Sequence, residues 1–130
     1  MEQTQHWHRV IETKDVELLK NILADDVVFY SPILYKPQEG KDLTMMYLMG
    51  AMHILLNGTF EYINEVHSPS YSVFEFIAEV DQIQINGVDI ISWNEEGKIE
   101  QFKVMLRPYS GINMLKQKMA SLLSTMQFNQ

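Results

Sequence analysis

Cysteine is absent from the 130 residues of the chain. Its absence excludes disulfide bridges, thiolate metal ligands and cysteine nucleophiles. The chain also lacks an apolar run close to the roughly 20 residues that a membrane-spanning helix needs, and residues 1–8 contain no apolar signal core. We therefore expect a cytoplasmic protein with no membrane partner.

Positive charge is scarce and scattered. Ten Lys and Arg stand against seventeen Asp and Glu, which gives a formal net charge of −7. The densest basic pair, Lys116 and Lys118, is too small to hold a phosphate backbone, because counterion release requires clustered cations. The sequence therefore predicts no nucleic-acid partner. It also contains no Gly-x-Ser-x-Gly elbow and no glycine-rich phosphate loop, which argues against both kinds of site.

The remaining composition is that of an ordinary globular domain. Hydrophobic residues make up 46% of the chain and charged residues 21%, so the chain has enough apolar surface to form a core. A length of 130 residues fits one domain and leaves little room for a second. We predict a single domain over residues 1–130.

Helices dominate the first half of the predicted order. Helical spacing begins at Trp7 and Val10, and it resumes at Val16 after Asp15, which can cap the second helix. The β-branched and aromatic run Asp26–Tyr30 predicts a short strand, and Ser31-Pro32 ends it. A long methionine-rich helix follows from about Asp42 to Leu56 and is stopped by Asn57-Gly58.

Strands dominate the second half, where the apolar period changes to two. The predicted strands are Thr59–His67, Tyr71–Asp81, Val88–Asn94 and Lys98–Arg107, with a hairpin turn at Asn86-Gly87 and a final helix from Gly111 to Met126. This order predicts an α+β fold. We expect a strongly curved antiparallel or mixed sheet wrapped around the N-terminal helices and the long helix, with a C-terminal helix.

Two segments carry a family resemblance. The run from Lys14 to Phe29, KDVELLKNILADDVVF, and the run from Gly87 to Ile99, GVDIISWNEEGKI, resemble nuclear transport factor 2-like and SnoaL-like proteins. The resemblance implies a cystatin-like cone whose open end forms a ligand cavity or an active site. It does not imply one function, because the superfamily includes enzymes, binding modules and dimerising scaffolds.

The steroid Δ-isomerases of this superfamily suggest where functional groups would lie. Their helix-1 tyrosine corresponds by spacing to Trp7, their catalytic base to Ser31, and their protonated aspartate to Asp89. Only the last of these groups is retained, and a serine cannot abstract a carbon-bound proton unaided. The resemblance therefore argues against isomerase chemistry of that particular type.

Asp89 is the first candidate for catalysis. In a period-two strand it shares a face with Ile91 and Trp93, and we expect this face to point into the cone. A carboxyl group in an apolar cavity has a raised pKa and can act as acid or base near neutrality. The alternative is that Asp89 accepts a hydrogen bond from the backbone or from Trp7 and stays ionised.

His53 and several aromatic residues are weaker candidates. His53 is either a proton shuttle facing Asp89 or a partly exposed residue near the end of the long helix. Tyr30 and Tyr47 either line the cavity mouth or only pack between elements, Trp7 and Trp93 are expected in its walls, and Ser31 is expected to bind the ligand. His6 and His8 do not face each other on a helix, so the sequence predicts no metal site, and it predicts no cofactor.

These residues leave more than one function open. The first is a domain that binds a small, mostly apolar molecule and could be an isomerase, cyclase or hydratase with Asp89 as acid or base. The alternatives are a non-catalytic ligand carrier and a dimerisation module of the same fold. Apolar residues on both faces of one strand, such as Val73 and Phe74, predict a homodimer through the outer face of the sheet.

Overall fold

The computed structural model describes residues 2–128 and the side chains of residues 2–125. The ends of the predicted domain, Met1, Asn129 and Gln130, lie outside the described residues. None of the described helices is both long enough and apolar enough to cross a membrane. The elements are α1 (Glu2–Thr13), α2 (Val16–Ile22), β1 (Leu23–Tyr30), β2 (Gln38–Glu39), α3 (Lys41–Leu55), β3 (Glu61–His67), β4 (Tyr71–Val80), β5 (Ile83–Trp93), β6 (Ile99–Arg107) and α4 (Tyr109–Phe128).

The six strands form one mixed sheet in the order β2-β1-β6-β5-β4-β3. Strands β3 to β6 form an antiparallel meander, and β1 joins β6 in parallel. The helices pack on the inner face of this sheet, and α3 and α4 also contact each other. The predicted α+β class is confirmed, and the parallel pair decides that the sheet is mixed.

The start of α2 follows the predicted capping chemistry. Asp15 lies in extended conformation, and its Oδ1 accepts a hydrogen bond of 3.1 Å from the backbone N–H of Leu18. This bond satisfies one of the amide groups that have no partner within the helix. Strand β1 begins at Leu23, directly after α2, so the predicted strand at Asp26 is correct in type and begins too late.

The hairpin turn predicted at Asn86-Gly87 is wrong. The chain reverses at Asp81 and Gln82, which have φ angles of 52° and 66°, and β5 runs through Gly87 without interruption. A Cβ atom on Gly87 would lie 2.5 Å from the Phe76 ring and 2.8 Å from the carbonyl oxygen of Met105. Glycine is needed there because neighbouring groups approach closely, and not because the chain turns.

The core lies between the inner face of the sheet and helices α1, α3 and α4. Burial along β5 alternates, and Asp89, Ile91 and Trp93 are all buried on the inner side. The prediction that these three residues share one face is confirmed. An acidic side chain is therefore held among apolar core residues, on a central strand that is paired on both edges.

Candidate functional site

A cavity of about 260 Å³ lies between the inner face of the sheet and helices α3 and α4. Its walls are almost entirely apolar. Among the described side chains, Asp89 and Lys116 are the only charged groups that reach it. Asp89 is buried, whereas Lys116 and Leu34 are exposed, so the cavity has a deep acidic end and a rim open to solvent.

Asp89 is held at the deep end by a short chain of hydrogen bonds. The Trp7 indole Nε1–H donates to the Tyr62 hydroxyl at 3.0 Å. The Tyr62 hydroxyl in turn donates to Asp89 Oδ2 at 2.5 Å. The other carboxyl oxygen, Oδ1, accepts no hydrogen bond from any described residue. Asp89 lines the cavity, and only 7% of the residue is exposed.

Burial decides the protonation behaviour of this pair. Loss of solvent raises the pKa of Asp89 from 3.8 to about 7, against the opposing effect of the hydrogen bond from Tyr62. Burial and the nearby Asp89 charge raise the pKa of Tyr62 well above its usual value. Tyr62 therefore remains a donor at neutral pH, while Asp89 has comparable protonated and ionised populations there.

Tyr62 was missed in the sequence analysis. The expected alternative for Asp89 was a direct hydrogen bond from Trp7, and the structure places the Tyr62 hydroxyl between the two groups. Tyr62 pairs with the inward-facing Phe76 of β4, but burial along β3 does not alternate, so no period-two signal marks it in the sequence. The register that brings Tyr62 to Asp89 depends on a bulge between Tyr62 and Asn64, which the pattern does not reveal.

Ser31 supplies a second polar group to the cavity. Its Oγ accepts hydrogen bonds from the backbone N–H groups of Ile33 and Leu34, at 3.1 and 2.9 Å. No described residue accepts a hydrogen bond from Ser31, so its own hydroxyl hydrogen is free. Tyr47 lies in the same cavity wall and stacks on Phe29 with 5.9 Å between ring centroids.

The structure separates three predicted residues from this cavity. Helix α3 presents Leu48, Met52 and neighbouring residues to the cavity, and His53 is exposed and turned away from it. The prediction that His53 faces Asp89 is therefore wrong. The cause is the helical period, which places position 53 outside the stripe formed by the lining residues of the helix.

Tyr30 and Trp93 are displaced for a different reason. Strand alternation turns Phe29 into the cavity and Tyr30 outwards, where the Lys103 ammonium lies 5.2 Å from its ring centroid. Tyr30 therefore lines a separate surface groove. Trp93 is buried and donates its Nε1–H to Ser72 Oγ at 2.9 Å, so it belongs to the core beyond the cavity. Of the predicted residues, Trp7, Ser31, Tyr47 and Asp89 meet at the cavity.

A second polar chain lies beside the first. His8 Nε2 and His67 Nε2 each lie 2.9 Å from Glu65 Oε1. His67 Nδ1 lies 2.9 Å from Ser72 Oγ, which also accepts the bond from Trp93. Within the described part of the chain, no group of three or more His, Asp or Glu residues is arranged to hold a metal ion.

Comparison with solved structures places this architecture among known proteins. A steroid Δ-isomerase from Pseudomonas aeruginosa has 30% sequence identity, covering 97% of this chain and 92% of its own, with a TM-score of 0.90. An uncharacterised bacterial protein with a cystatin-like fold from Silicibacter pomeroyi has 28% identity, covering 95% and 86%, with a TM-score of 0.87.

A third solved structure shares the fold at lower identity. SalBIII, an epoxide hydrolase/cyclase-like enzyme with a role in pyran ring formation in the polyether salinomycin, has 17% identity, covering 82% and 88%, with a TM-score of 0.66. No protein-family model and no curated protein matches the chain. SalBIII shows a shared fold, and the steroid Δ-isomerase, at 30% identity, is an enzyme of the general kind predicted from the sequence. Similarity over nearly the full length of both chains shows that the protein belongs to the nuclear transport factor 2-like, SnoaL-like superfamily.

Proposed function

We propose that the protein is an enzyme that moves a proton on a small, mostly apolar carbonyl compound, with Asp89 as the acid and base. The observation that carries the proposal is a buried carboxyl group that lines an apolar cavity, with one oxygen held by Tyr62 and the other accepting no hydrogen bond from a described residue. A group whose pKa lies near the working pH both takes up and releases a proton readily. Raising the pKa of Asp89 to about 7 places it in that range.

The proposed reaction needs only this carboxyl group and one hydrogen-bond donor. The substrate carries a carbon–carbon double bond between its β- and γ-carbons. Asp89 Oδ1 takes a proton from the α-carbon, and the electrons of that C–H bond form a conjugated dienolate. The free Ser31 hydroxyl hydrogen donates to the dienolate oxygen. Asp89 then returns the proton to the γ-carbon, and the double bond moves to the α- and β-carbons as the carbonyl re-forms. The sum is a 1,3-proton shift that consumes no cofactor and leaves the enzyme unchanged.

The donor role of Ser31 rests on its two accepted hydrogen bonds. The N–H groups of Ile33 and Leu34 fix its oxygen and polarise the hydroxyl. A donor oriented before the reaction stabilises developing charge without reorganising. Tyr62 is a positioning residue, because it holds Asp89 Oδ2 and itself receives the Trp7 N–H.

This assignment exchanges two roles relative to the steroid isomerases that the sequence resembles. There, the residue at the position of Asp89 keeps its proton and the residue at the position of Ser31 is the base. Here the carboxyl group at position 89 is the only carboxyl group among the described cavity residues. The solved steroid Δ-isomerase and SalBIII support an enzyme of this general kind, and the exchange of roles is specific to this chain.

Deuterium exchange tests the proposed reaction without knowledge of the substrate. Cyclic ketones of one and two rings are incubated with the protein in D₂O, and loss of the α-proton signal is followed by NMR. We expect exchange faster than in buffer, lost in Asp89→Asn and retained in His53→Gln. Exchange that survives Asp89→Asn would contradict the proposal. Binding of the ketones without any exchange would favour the ligand carrier instead.

We also propose a homodimer formed through the outer face of the sheet. Val66, Val73 and Ile90 lie side by side across three strands of this face, and Val66 is 70% exposed. Contiguous apolar surface of this kind is usually covered, and a two-fold axis would cover it with the same patch of a second copy. Sedimentation of the wild type as a monomer would contradict this, and Val66→Glu should dissociate a dimer.

A further inference from the structure

The rim of the cavity carries a cation that the proposed reaction does not use. On α4, the residues that face the cavity follow helical spacing, and Lys116 belongs to that stripe with Leu115, Met119 and Ala120. Lys116 and Ala120 are exposed, whereas Leu115 and Met119 are buried. Lys116 therefore marks the point at which α4 passes from the apolar interior to solvent.

Lys116 differs from two other lysines in having no partner among the described residues. On the same helix, Lys118 pairs with Asp81 at 3.0 Å. At the start of α3, Lys41 pairs with Asp25 at 3.2 Å. In the described part of the chain, Lys116 Nζ makes no ion pair or hydrogen bond. An unpaired ammonium beside an apolar opening can bind an anion and bury its own methylene stem against the wall.

The volume of the cavity sets the size of the apolar part of the ligand. A cavity of about 150 Å³ accommodates benzene, so about 260 Å³ accommodates an apolar body of roughly ten carbons on the same scale. A four-ring steroid has nearly twice that number of carbons. A ligand larger than about ten carbons must therefore extend through the rim, past Lys116.

The two charged residues fix the direction in which such a ligand enters. The deep end holds a buried carboxyl group, and a second negative charge placed beside it would be both desolvated and repelled. A neutral hydrogen-bonding group can take that position. An anionic group is accepted only at the rim, where water and Lys116 both stabilise it.

We infer that the ligand is a compact amphiphile, with an apolar body of roughly ten carbons that enters the cavity and an anionic group held at the rim by Lys116. A carboxylate or a phosphate monoester meets this description equally. The inference deepens the proposed function, since it assumes that the same cavity is the substrate site.

Matched probes test the inference independently of catalysis. Decanoate and decan-1-ol share the ten-carbon chain and differ in charge, and calorimetry measures their binding in low-salt buffer. We expect tighter binding of decanoate to the wild type. We expect Lys116→Gln to weaken decanoate about fivefold, as for one partly exposed ion pair, with decan-1-ol unchanged. Lys118→Gln, on the same helix and outside the cavity, should change neither. Decyl phosphate in place of decanoate distinguishes the two anionic groups.

The outcomes separate this inference from the proposed function. Equal binding of the two probes, or an equal loss for both in Lys116→Gln, overturns the anion site and leaves the apolar cavity as a ligand site. Failure of both probes to bind the wild type overturns the cavity as a ligand site and removes the basis of both proposals. Lys116 is exposed, so unchanged thermal unfolding of Lys116→Gln confirms that any loss of binding is local.

Discussion

Two chains of hydrogen bonds run side by side from helix α1 to the sheet, and they differ at one end. Trp7 begins a chain through Tyr62 to Asp89. His8, the next residue, begins a chain through Glu65 and His67 to Ser72. The Phe74 ring packs against both chains, 5.2 Å from Tyr62 and 5.0 Å from His67 between ring centroids. The chains also touch each other, because the His8 and Tyr62 rings meet edge to face with 5.9 Å between centroids.

The second chain reaches the protein surface at His8 and Glu65, whereas the first ends at the cavity. The Glu65 carboxylate can only accept, so both histidines donate to it, and in neutral His67 the ring Nδ1 then accepts from Ser72. Ser72 also accepts from Trp93. The side chains of His8 and Glu65 are 36% and 27% exposed, so the second chain reaches solvent. The first chain ends on the buried carboxyl group of Asp89, which lines an apolar cavity. A polar chain thus becomes a candidate site where it ends on a buried group beside a cavity.

Among the variants that test the two chains, Asp89→Asn should have the largest effect on the reaction rate. Removing an acid and base from a proton transfer typically lowers the rate by about 10²–10⁴-fold. Stability should move the other way at neutral pH, because the neutral amide does not carry a buried charge. Turnover or deuterium exchange measures the first effect, and thermal unfolding the second. A variant that fails to fold would show that Asp89 is structural.

The stability of the wild type should depend on pH through the same residue. Because the pKa of Asp89 is raised from 3.8 to about 7 on folding, the native state holds this proton more tightly than the unfolded state. Stability relative to Asp89→Asn is therefore highest below about pH 4 and falls as pH rises to about 7, by on the order of 4 kcal/mol. Urea unfolding of both proteins across this range measures the difference, and parallel curves would contradict the raised pKa.

Tyr62→Phe should have an intermediate effect. It removes the hydrogen bond that lowers the pKa of Asp89 and leaves the Trp7 N–H without its partner. We expect a loss of about 1–3 kcal/mol in unfolding free energy and a shift of the ionisation of Asp89 to higher pH. In the pH profile of activity, the apparent pKa that belongs to Asp89 should move to higher pH. A loss of stability with no change in this apparent pKa would mean that Tyr62 contributes only to packing.

Ser72→Ala should affect stability alone. It leaves the Trp93 N–H and His67 Nδ1 without their shared partner, and a buried unpaired polar group costs about 1–3 kcal/mol. The apparent pKa of Asp89 in the pH profile should not move, because Ser72 makes its side-chain hydrogen bonds to His67 and Trp93 and none to Tyr62 or Asp89. A shift as large as that of Tyr62→Phe would show that the two chains are coupled.

His53→Gln should have the smallest effect. His53 is exposed on the side of α3 away from the cavity. We expect activity and its pH profile to match the wild type, with stability changed by no more than about 0.5 kcal/mol, as at most surface positions. Loss of activity in this variant would instead support the hypothesis that His53 is a proton shuttle.

The sequence predicted local structure well where one chemical feature decides it. Asp15 caps α2 as predicted, and period two placed Asp89, Ile91 and Trp93 on one face. The prediction of a turn at Gly87 was wrong, because Asn-Gly is typical of a turn. The sequence does not show that the Phe76 ring occupies the space that a side chain at position 87 would fill. A close approach between strands is a property of their pairing.

The same division holds for the candidate site. The sequence by itself determined an apolar α+β domain, free of cysteine chemistry and of a basic patch, with an acidic residue at position 89 on the inner face of a strand. Only the tertiary structure decided that Tyr62 reaches Asp89, that His53 does not, and that Lys116 stands at the rim. The reason is physical. Alternation and helical period fix which way a side chain points within its element, whereas pairing register and helix docking fix what it meets there.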